Sequence, residues 1–246
     1  MELDVSKVAL VTGASRGIGR AIALGLAQDG FDLSVCARNQ KDLETLQQQA
    51  SKLCASTDYS KAPKVAIHPM DVRDCKAVAK MVTDTVEQFG RIDVLFNNAG
   101  IFRPGTSEIS LEDFNEMLDI NLRAAFNFVQ HVAPVMKRQN SGHIINLSSR
   151  SGKLAKPLSG GYAASKFGLV GLSEALYREL SDDGISVTAI CPGWVDTEMA
   201  DMSGLSTSEK MTTDDILNTV RWLLSLSPAA RVKDVYMESV RQVTEL

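Results

Sequence analysis

Short apolar runs alternate with amphipathic stretches along almost the whole chain. The runs at 7–12, 33–37, 64–69, 92–97, 142–147 and 185–191 are rich in Val, Ile and Leu and bounded by turn residues, which predicts six strands, with a seventh around Val235. Between them the apolar positions recur at helical spacing, predicting helices over 16–28, 41–54, 74–89, 111–138, about 160–180 and 214–225. Residues 55–63 are polar and read as a surface loop, and 193–211 as an irregular segment. Strands that alternate with helices of this length imply right-handed crossovers and a mostly parallel sheet covered on both faces. No linker, repeat or shift in composition divides the chain, so the expectation is α/β, with a single doubly wound domain over residues 1–246.

Two of these helices are apolar beyond a single stripe. Phe114, Met117, Leu118, Leu122, Ala125, Phe126, Val129 and Val132 spread around the helix at 111–138, and Leu169, Val170, Leu172, Ala175, Leu176 and Leu180 around the one at 160–180. A helix apolar on more than one face is usually covered on more than one side. The expectation is a homo-oligomer, a dimer or homotetramer, built through both helices.

Composition narrows the field by exclusion. With 44% hydrophobic and 23% charged residues the chain is ordinary for a globular protein, and a net charge of −4 gives no support to nucleic-acid binding. No apolar stretch approaches the roughly 20 residues of a membrane span, and no secretory signal opens the chain, so a cytoplasmic location is expected. The cysteines (Cys36, Cys54, Cys75, Cys191) and histidines (His68, His131, His143) are dispersed without ligand spacing, so no metal site is expected.

The first chemical signal lies between the first strand and first helix, in Thr12-Gly13-Ala14-Ser15-Arg16-Gly17-Ile18-Gly19. Glycines there permit a tight turn and let the backbone approach a pyrophosphate at the helix amino end. The position after a strand and before a helix favours dinucleotide binding over a simple turn. NAD binders place a carboxylate at the end of the second strand to hold the ribose 2′-hydroxyl. Here that end reads Cys36-Ala37-Arg38-Asn39. Arg38 and Arg16, unless they are two solvated surface arginines, would fork around a 2′-phosphate, which favours NADP(H) over NAD(H).

The second signal is Tyr162-Ala163-Ala164-Ser165-Lys166, which puts a phenol and an ammonium on one helical face. Alone, such a pair is usually an ordinary helix surface. A charge at about 4 Å favours the phenolate by ~4 kcal/mol at an effective dielectric of about 20. That is roughly three pK units, enough to bring a tyrosine from ~10 to near ~7, where general acid/base catalysis works best. Upstream, Ser148-Ser149 end the strand at 142–147, where a hydroxyl could hold a carbonyl oxygen before the tyrosine.

Thr12-Gly-x3-Gly-x-Gly19, Asn97-Asn98-Ala99-Gly100, Asn121, Ser149, Tyr162-x3-Lys166 and Pro192-Gly193, in this order, resemble the short-chain dehydrogenase/reductase family from Lys7 to about Trp222. The resemblance implies a Rossmann-type domain with strand order 3-2-1-4-5-6-7. It implies that Asp71 and Val72 contact adenine, that Asn98 and Ala99 line the ribose, and that Pro192, Gly193, Val195 and Thr197 hold the nicotinamide. Read without it, Asp71 has the alternative of a helix N-cap, Asn98 that of a turn residue, and Asn121 that of a helix asparagine bonding neighbouring backbone. The family spacing selects Ser149 over Ser148 as the hydrogen-bond donor to the substrate oxygen. It makes Tyr162 the acid/base, gives Lys166 the ribose hydroxyls and the lowering of the tyrosine pKa, and has Asn121 anchor a water leading to the lysine. The implied activity is NADP(H)-dependent hydride transfer with a small carbonyl or alcohol. Phe102, Arg103, Ser151, Lys153, Leu154, Trp194, Met199 and Met202 are candidates for the pocket, under a substrate loop at about 193–212. The stretch Val235-Tyr236-Met237-Glu238-Ser239 lacks the Val-Asp-Gly-Gly ending of many family reductases, which argues against a 3-oxoacyl-thioester reductase. That activity and a catalytically idle NADP-sensing protein stand as the alternatives.

Overall fold

The computed structural model describes residues 6–53 and 62–244. Seven parallel strands form one sheet in the order β3-β2-β1-β4-β5-β6-β7. They are β1 (Val8–Thr12), β2 (Asp32–Ala37), β3 (Val65–Pro69), β4 (Val94–Asn97), β5 (Gly142–Leu147), β6 (Ile185–Pro192) and β7 (Asp234–Met237). The helices are α1 (Gly17–Gln28), α2 (Gln40–Leu53), α3 (Cys75–Phe89), α4 (Leu111–Leu118), α5 (Ala124–Gln139), α6 (Gly160–Glu179), α7 (Thr213–Ser225) and α8 (Val240–Thr244). This is the doubly wound Rossmann-type architecture, and the expected strand order is the one observed.

The strands are largely apolar because the centre of the sheet is buried on both sides, although Ser34, Asn146 and Thr188 are buried there too. Side chains alternate between the faces. Val11, Val35, Phe96 and Ile145 pack with Ile22, Leu26, Leu43, Leu46, Ile216 and Val220 of α1, α2 and α7. Leu10, Leu95 and Ile144 pack on the other side with Val78, Met81, Phe128, Val132 and Leu176 of α3, α5 and α6. Between β1 and β4 the chain reverses its direction of winding, which opens a crevice at the strands' carboxyl ends.

Three features depart from the expectation. The helix foreseen over 111–138 is interrupted by a π-helical turn, Asp119–Arg123, and α8 was not foreseen. The surplus apolar residues of the α4–α5 and α6 region are largely absorbed within the chain: Met117, Ala125, Val129, Val132, Leu169, Leu176 and Leu180 are all buried. What remains on the surface includes Leu111, Phe126 and Phe167, the two aromatic rings being 42% and 45% exposed. The expected polar loop at 55–63 lies mostly outside the described residues, as does Cys54. Cys36 and Cys191 are buried and Cys75 is exposed. Burial pushes the thiols of Cys36 and Cys191 up to about 12 and about 11, which keeps them neutral.

Candidate active site

The glycine turn is held by the neighbouring strand. Thr12 Oγ1 accepts from the backbone N–H groups of Asn98 (2.9 Å) and Ala99 (3.0 Å), while Asn98 Nδ2 donates back to the carbonyls of Thr12 (2.8 Å) and Gly13 (3.1 Å). Asn98 thus fixes the turn's backbone. Gly13 needs its glycine twice over: its φ is +66°, and a Cβ there would lie 2.8 Å from Asn98 Nδ2. Asp74, Ser110 and Thr212 cap α3, α4 and α7. The amino end of α1, by contrast, has neither a side-chain cap nor a carboxylate in its first turn. Its unpaired N–H groups and positive dipole end suit a pyrophosphate. Ser15 and Ile18 lie in this same turn region, and Gly17 faces Thr197, whose Cγ2 would sit 3.3 Å from a Cβ added at Gly17.

The other expected cofactor contacts are placed as follows. Val72 is buried after β3. Asp71 is not the helix cap, which is Asp74. Its carboxylate is instead forked by Arg73, at 2.6 to 3.1 Å, and the hydrogen bonds from Arg73 hold it below the usual carboxylate range. Arg38 stands exposed at the end of β2, close enough to Asp71 to add to that lowering. Arg16 is ion-paired with Glu198, beyond β6. Of the two arginines expected to fork around a 2′-phosphate, Arg16 is thus paired with Glu198 and Arg38 is exposed. Pro192 ends β6 opposite Met237, Gly193 N–H donates to Met237 O (2.8 Å), and Val195 bridges Met211.

Beyond the carboxyl end of β5, Ser149, Tyr162 and Lys166 come together. Ser149 follows β5 and starts a 3-10 turn, Arg150–Gly152, where its Oγ accepts the N–H of Ser151 (3.1 Å). That engages a lone pair and leaves the hydroxyl proton to donate. Ser148 turns inward and donates to Lys166 O (3.1 Å). Lys166 is buried, with Nζ donating to Leu147 O (2.9 Å) and lying 5.7 Å from the centroid of the Tyr162 ring. The Phe102 ring meets Tyr162 edge-on at 5.2 Å. Asn121, in the π-helical turn, is wholly enclosed. Its Oδ1 accepts from Ile101 N–H (2.8 Å), and its Nδ2 donates to Ile101 O (3.0 Å) and Ser165 Oγ (3.0 Å). The extra residue of the π turn aims this amide at loop and α6 together.

One electrostatic expectation is overturned. Burial raises the Tyr162 phenol to about 12, against a smaller lowering by a hydrogen bond from Ser149, and Lys166 does not bring it near neutrality. Burial likewise lowers the Lys166 ammonium to about 8, and its Nζ is directed at the Leu147 carbonyl. The Tyr162 phenol is accordingly protonated at neutral pH. Two pocket cations are also already matched. Arg103 pairs with Glu116 (3.0 Å) and Asp113 (3.4 Å), and Lys153 with Asp234 (2.5 Å). Arg150, Glu238 and Gln242, which adjoin the site, went unnoticed in the sequence. The only signal was the unusual composition of the stretch around Val235–Ser239.

The family model described as short chain dehydrogenase matches residues 7–206. The chain belongs to the short-chain dehydrogenase family. Among relatives, the 3-oxoacyl-[acyl-carrier-protein] reductase FabG of Staphylococcus aureus (strain Mu50 / ATCC 700699) is 38% identical over 234 residues, covering 91% of this chain and 92% of that protein. Levodione reductase superposes with a TM-score of 0.88 at 30% identity, covering 98% of each chain. An alcohol dehydrogenase from the archaeon Thermococcus sibiricus, complexed with 5-hydroxy-NADP, gives 0.86 at 31% identity, covering 96% of this chain and 97% of that one. As a short-chain dehydrogenase the protein is an oxidoreductase that acts on a carbonyl or hydroxyl group of a small molecule with a nicotinamide cofactor. The glycine turn and the uncapped end of α1 fit the phosphates of such a cofactor. Among the described residues no group of three or more His, Cys, Asp or Glu could hold a metal ion, and no helix is long and apolar enough to cross a membrane.

Proposed function

We propose that the protein is an NADP(H)-dependent reductase of neutral carbonyl compounds, acting through Ser149, Tyr162 and Lys166, with the whole chain serving as one nucleotide-binding domain in the cytoplasm. The observation that carries this reading is the polarity of Ser149 beside a protonated phenol. Its oxygen accepts the Ser151 N–H, which leaves its proton available to donate, as an oxyanion stabiliser requires. The nicotinamide, when bound, supplies or accepts the hydride. As negative charge develops on the substrate oxygen, Ser149 donates a hydrogen bond and Tyr162, neutral with its pKa at about 12, gives up its proton. The positive charge of Lys166 then favours the tyrosinate that remains. Asn121 positions the loop bearing Phe102 and, through Ser165, the helix bearing Tyr162. The preference for NADP(H) rests on Arg38 and Arg16 and on the lack of a carboxylate at the end of β2. It requires a 2′-phosphate to displace Glu198 from Arg16. Adenine would lie by Asp71 and Val72, the ribose by Asn98 and Ala99, and the nicotinamide by Pro192, Gly193, Val195 and Thr197.

The neutrality of the substrate follows from charge matching. Arg103 and Lys153, the cations proposed for the pocket, are balanced by Glu116, Asp113 and Asp234, so an anion would have to compete with carboxylates already in place for either one. Phe102, Leu154, Met199 and Met202 offer apolar surface in its place. A second reading, reduction of 3-oxoacyl thioesters, is favoured by the Staphylococcus aureus relative. Free ketones, acidic ketones and 3-oxoacyl thioesters, each assayed with NADPH and with NADH, separate the two. Neutral free ketones with NADPH are expected to give the highest kcat/KM. Faster turnover of the thioesters would establish the second reading, and a preference for NADH would refute the cofactor assignment.

A further inference from the structure

The carboxyl-terminal stretch does more than finish the sheet. Arg150, the residue after Ser149, is 4% exposed, and its guanidinium is ion-paired with Glu238 and donates from Nε to Tyr236 Oη (3.3 Å). Glu238 is itself only 15% exposed at its side chain. The other end of the same turn is tied to the same strand, since Lys153 Nζ lies 2.5 Å from Asp234. Between these ties the turn is closed by Gly152 N–H to Ser149 O (2.8 Å) and by Lys153 and Leu154 N–H to Arg150 O (both 2.9 Å). It is also pressed on α6: a Cβ at Gly152 would lie 2.6 Å from Ser148 Oγ and 2.8 Å from Lys166 O. The turn has little room to settle anywhere else while Arg150 keeps its partner.

We propose that Glu238 is a positioning residue for Ser149, acting through Arg150. The inference rests on the reading of Ser149 as the hydrogen-bond donor to the reacting oxygen. A buried guanidinium that loses its carboxylate must find another partner or move toward water. Arg150 opens the 3-10 turn, so its movement carries the Ser151 N–H that orients Ser149 Oγ. A misplacement of about 1 Å at a group acting in the transition state costs on the order of 100-fold in rate. Glu238 touches no reacting atom, and its effect is confined to what Ser149 contributes.

That confinement makes the proposal testable by a cycle of Glu238→Gln and Ser149→Ala, with neutral ketone and NADPH as substrates. Glu238→Gln is expected to lower kcat by about 10- to 100-fold, with an NADPH dissociation constant close to that of the unaltered protein and a lower melting temperature, as a buried guanidinium deprived of its carboxylate requires. In the Ser149→Ala background it should lower kcat no further, because the group it positions is gone. An unaltered kcat in Glu238→Gln, or the same fold loss with and without Ser149, overturns the inference while leaving the catalytic reading in place. Undiminished turnover in Ser149→Ala alone overturns the reading itself and the inference with it. Should Glu238→Gln fail to fold, Arg150→Met combined with Glu238→Leu removes both charges together and carries the same comparison.

Discussion

Ser149 shows how much the direction of one hydrogen bond decides. An Oγ that accepts from Ser151 N–H can still donate, whereas one that donated to a carbonyl would present only lone pairs to an incoming oxyanion. Its neighbour in the site, Lys166, sets a pH limit. Burial lowers this ammonium from its ordinary 10.5 to about 8, so its charge is present below that pH and is lost as pH rises through it. Reductive kcat/KM should therefore be level below about pH 8 and fall above it, as read from a pH profile with saturating NADPH; a fall that starts only near 10.5 would contradict it. The same shift bears on stability with a definite sign. Between about 8 and 10.5 the unfolded chain binds more protons at this site than the folded one, so the contribution of Lys166 to stability rises with pH across that window. The spacing of Tyr162 and Lys166 was legible in the sequence because a helix places i and i+4 on one face. The direction of their pKa shifts was not, since it depends on burial and on the Leu147 carbonyl, which sequence spacing does not reveal.

At the scale of elements, the π-helical turn Asp119–Arg123 is the feature that builds the site. A regular helix over 111–138 would turn Asn121 differently; the bulge lets its amide bond Ile101 twice and Ser165 once. Nothing in the apolar periodicity reports a one-residue insertion into the helical register, and Asn121 stood out only through the family resemblance. Truncating it leaves the Ile101 N–H and C=O without their partner. Asn121→Ala is expected to destabilise the fold by about 1–3 kcal/mol in denaturant unfolding, with a lower kcat as Phe102 and Tyr162 lose their relative placement. Unaltered stability would show that Ile101 finds other partners. The short α8 escaped notice for a related reason: at five residues it is too brief for a periodic pattern, yet its Gln242 Oε1 accepts the N–H of Trp194 (3.0 Å) and that of Ser239 (3.3 Å). Glu238 carried no motif, and its pairing with Arg150 spans most of the carboxyl-terminal half of the chain.

For the whole molecule, the sheet was the most legible part, because strands buried on both faces must be predominantly apolar, and the central strands β1 and β4 are. Assembly is harder to read from the same signal. The sequence counts Val129, Val132, Leu169 and Leu176 as apolar surplus, but each is buried by its own chain. The case for a homo-oligomer through α4–α5 and α6 rests on Phe126 and Phe167, which remain exposed on them. Light scattering is expected to give a dimer or tetramer, reduced to a smaller species by Phe167→Glu; a monomer at micromolar concentration would contradict that assembly. The central claim is that Tyr162 delivers a proton to a nascent alkoxide in this site. The direct measurement is single-turnover oxidation of bound NADPH by a neutral ketone, compared between the unaltered protein and Tyr162→Phe. The account predicts a loss of at least about 100-fold with NADPH affinity unchanged, and an undiminished rate in Tyr162→Phe would contradict it.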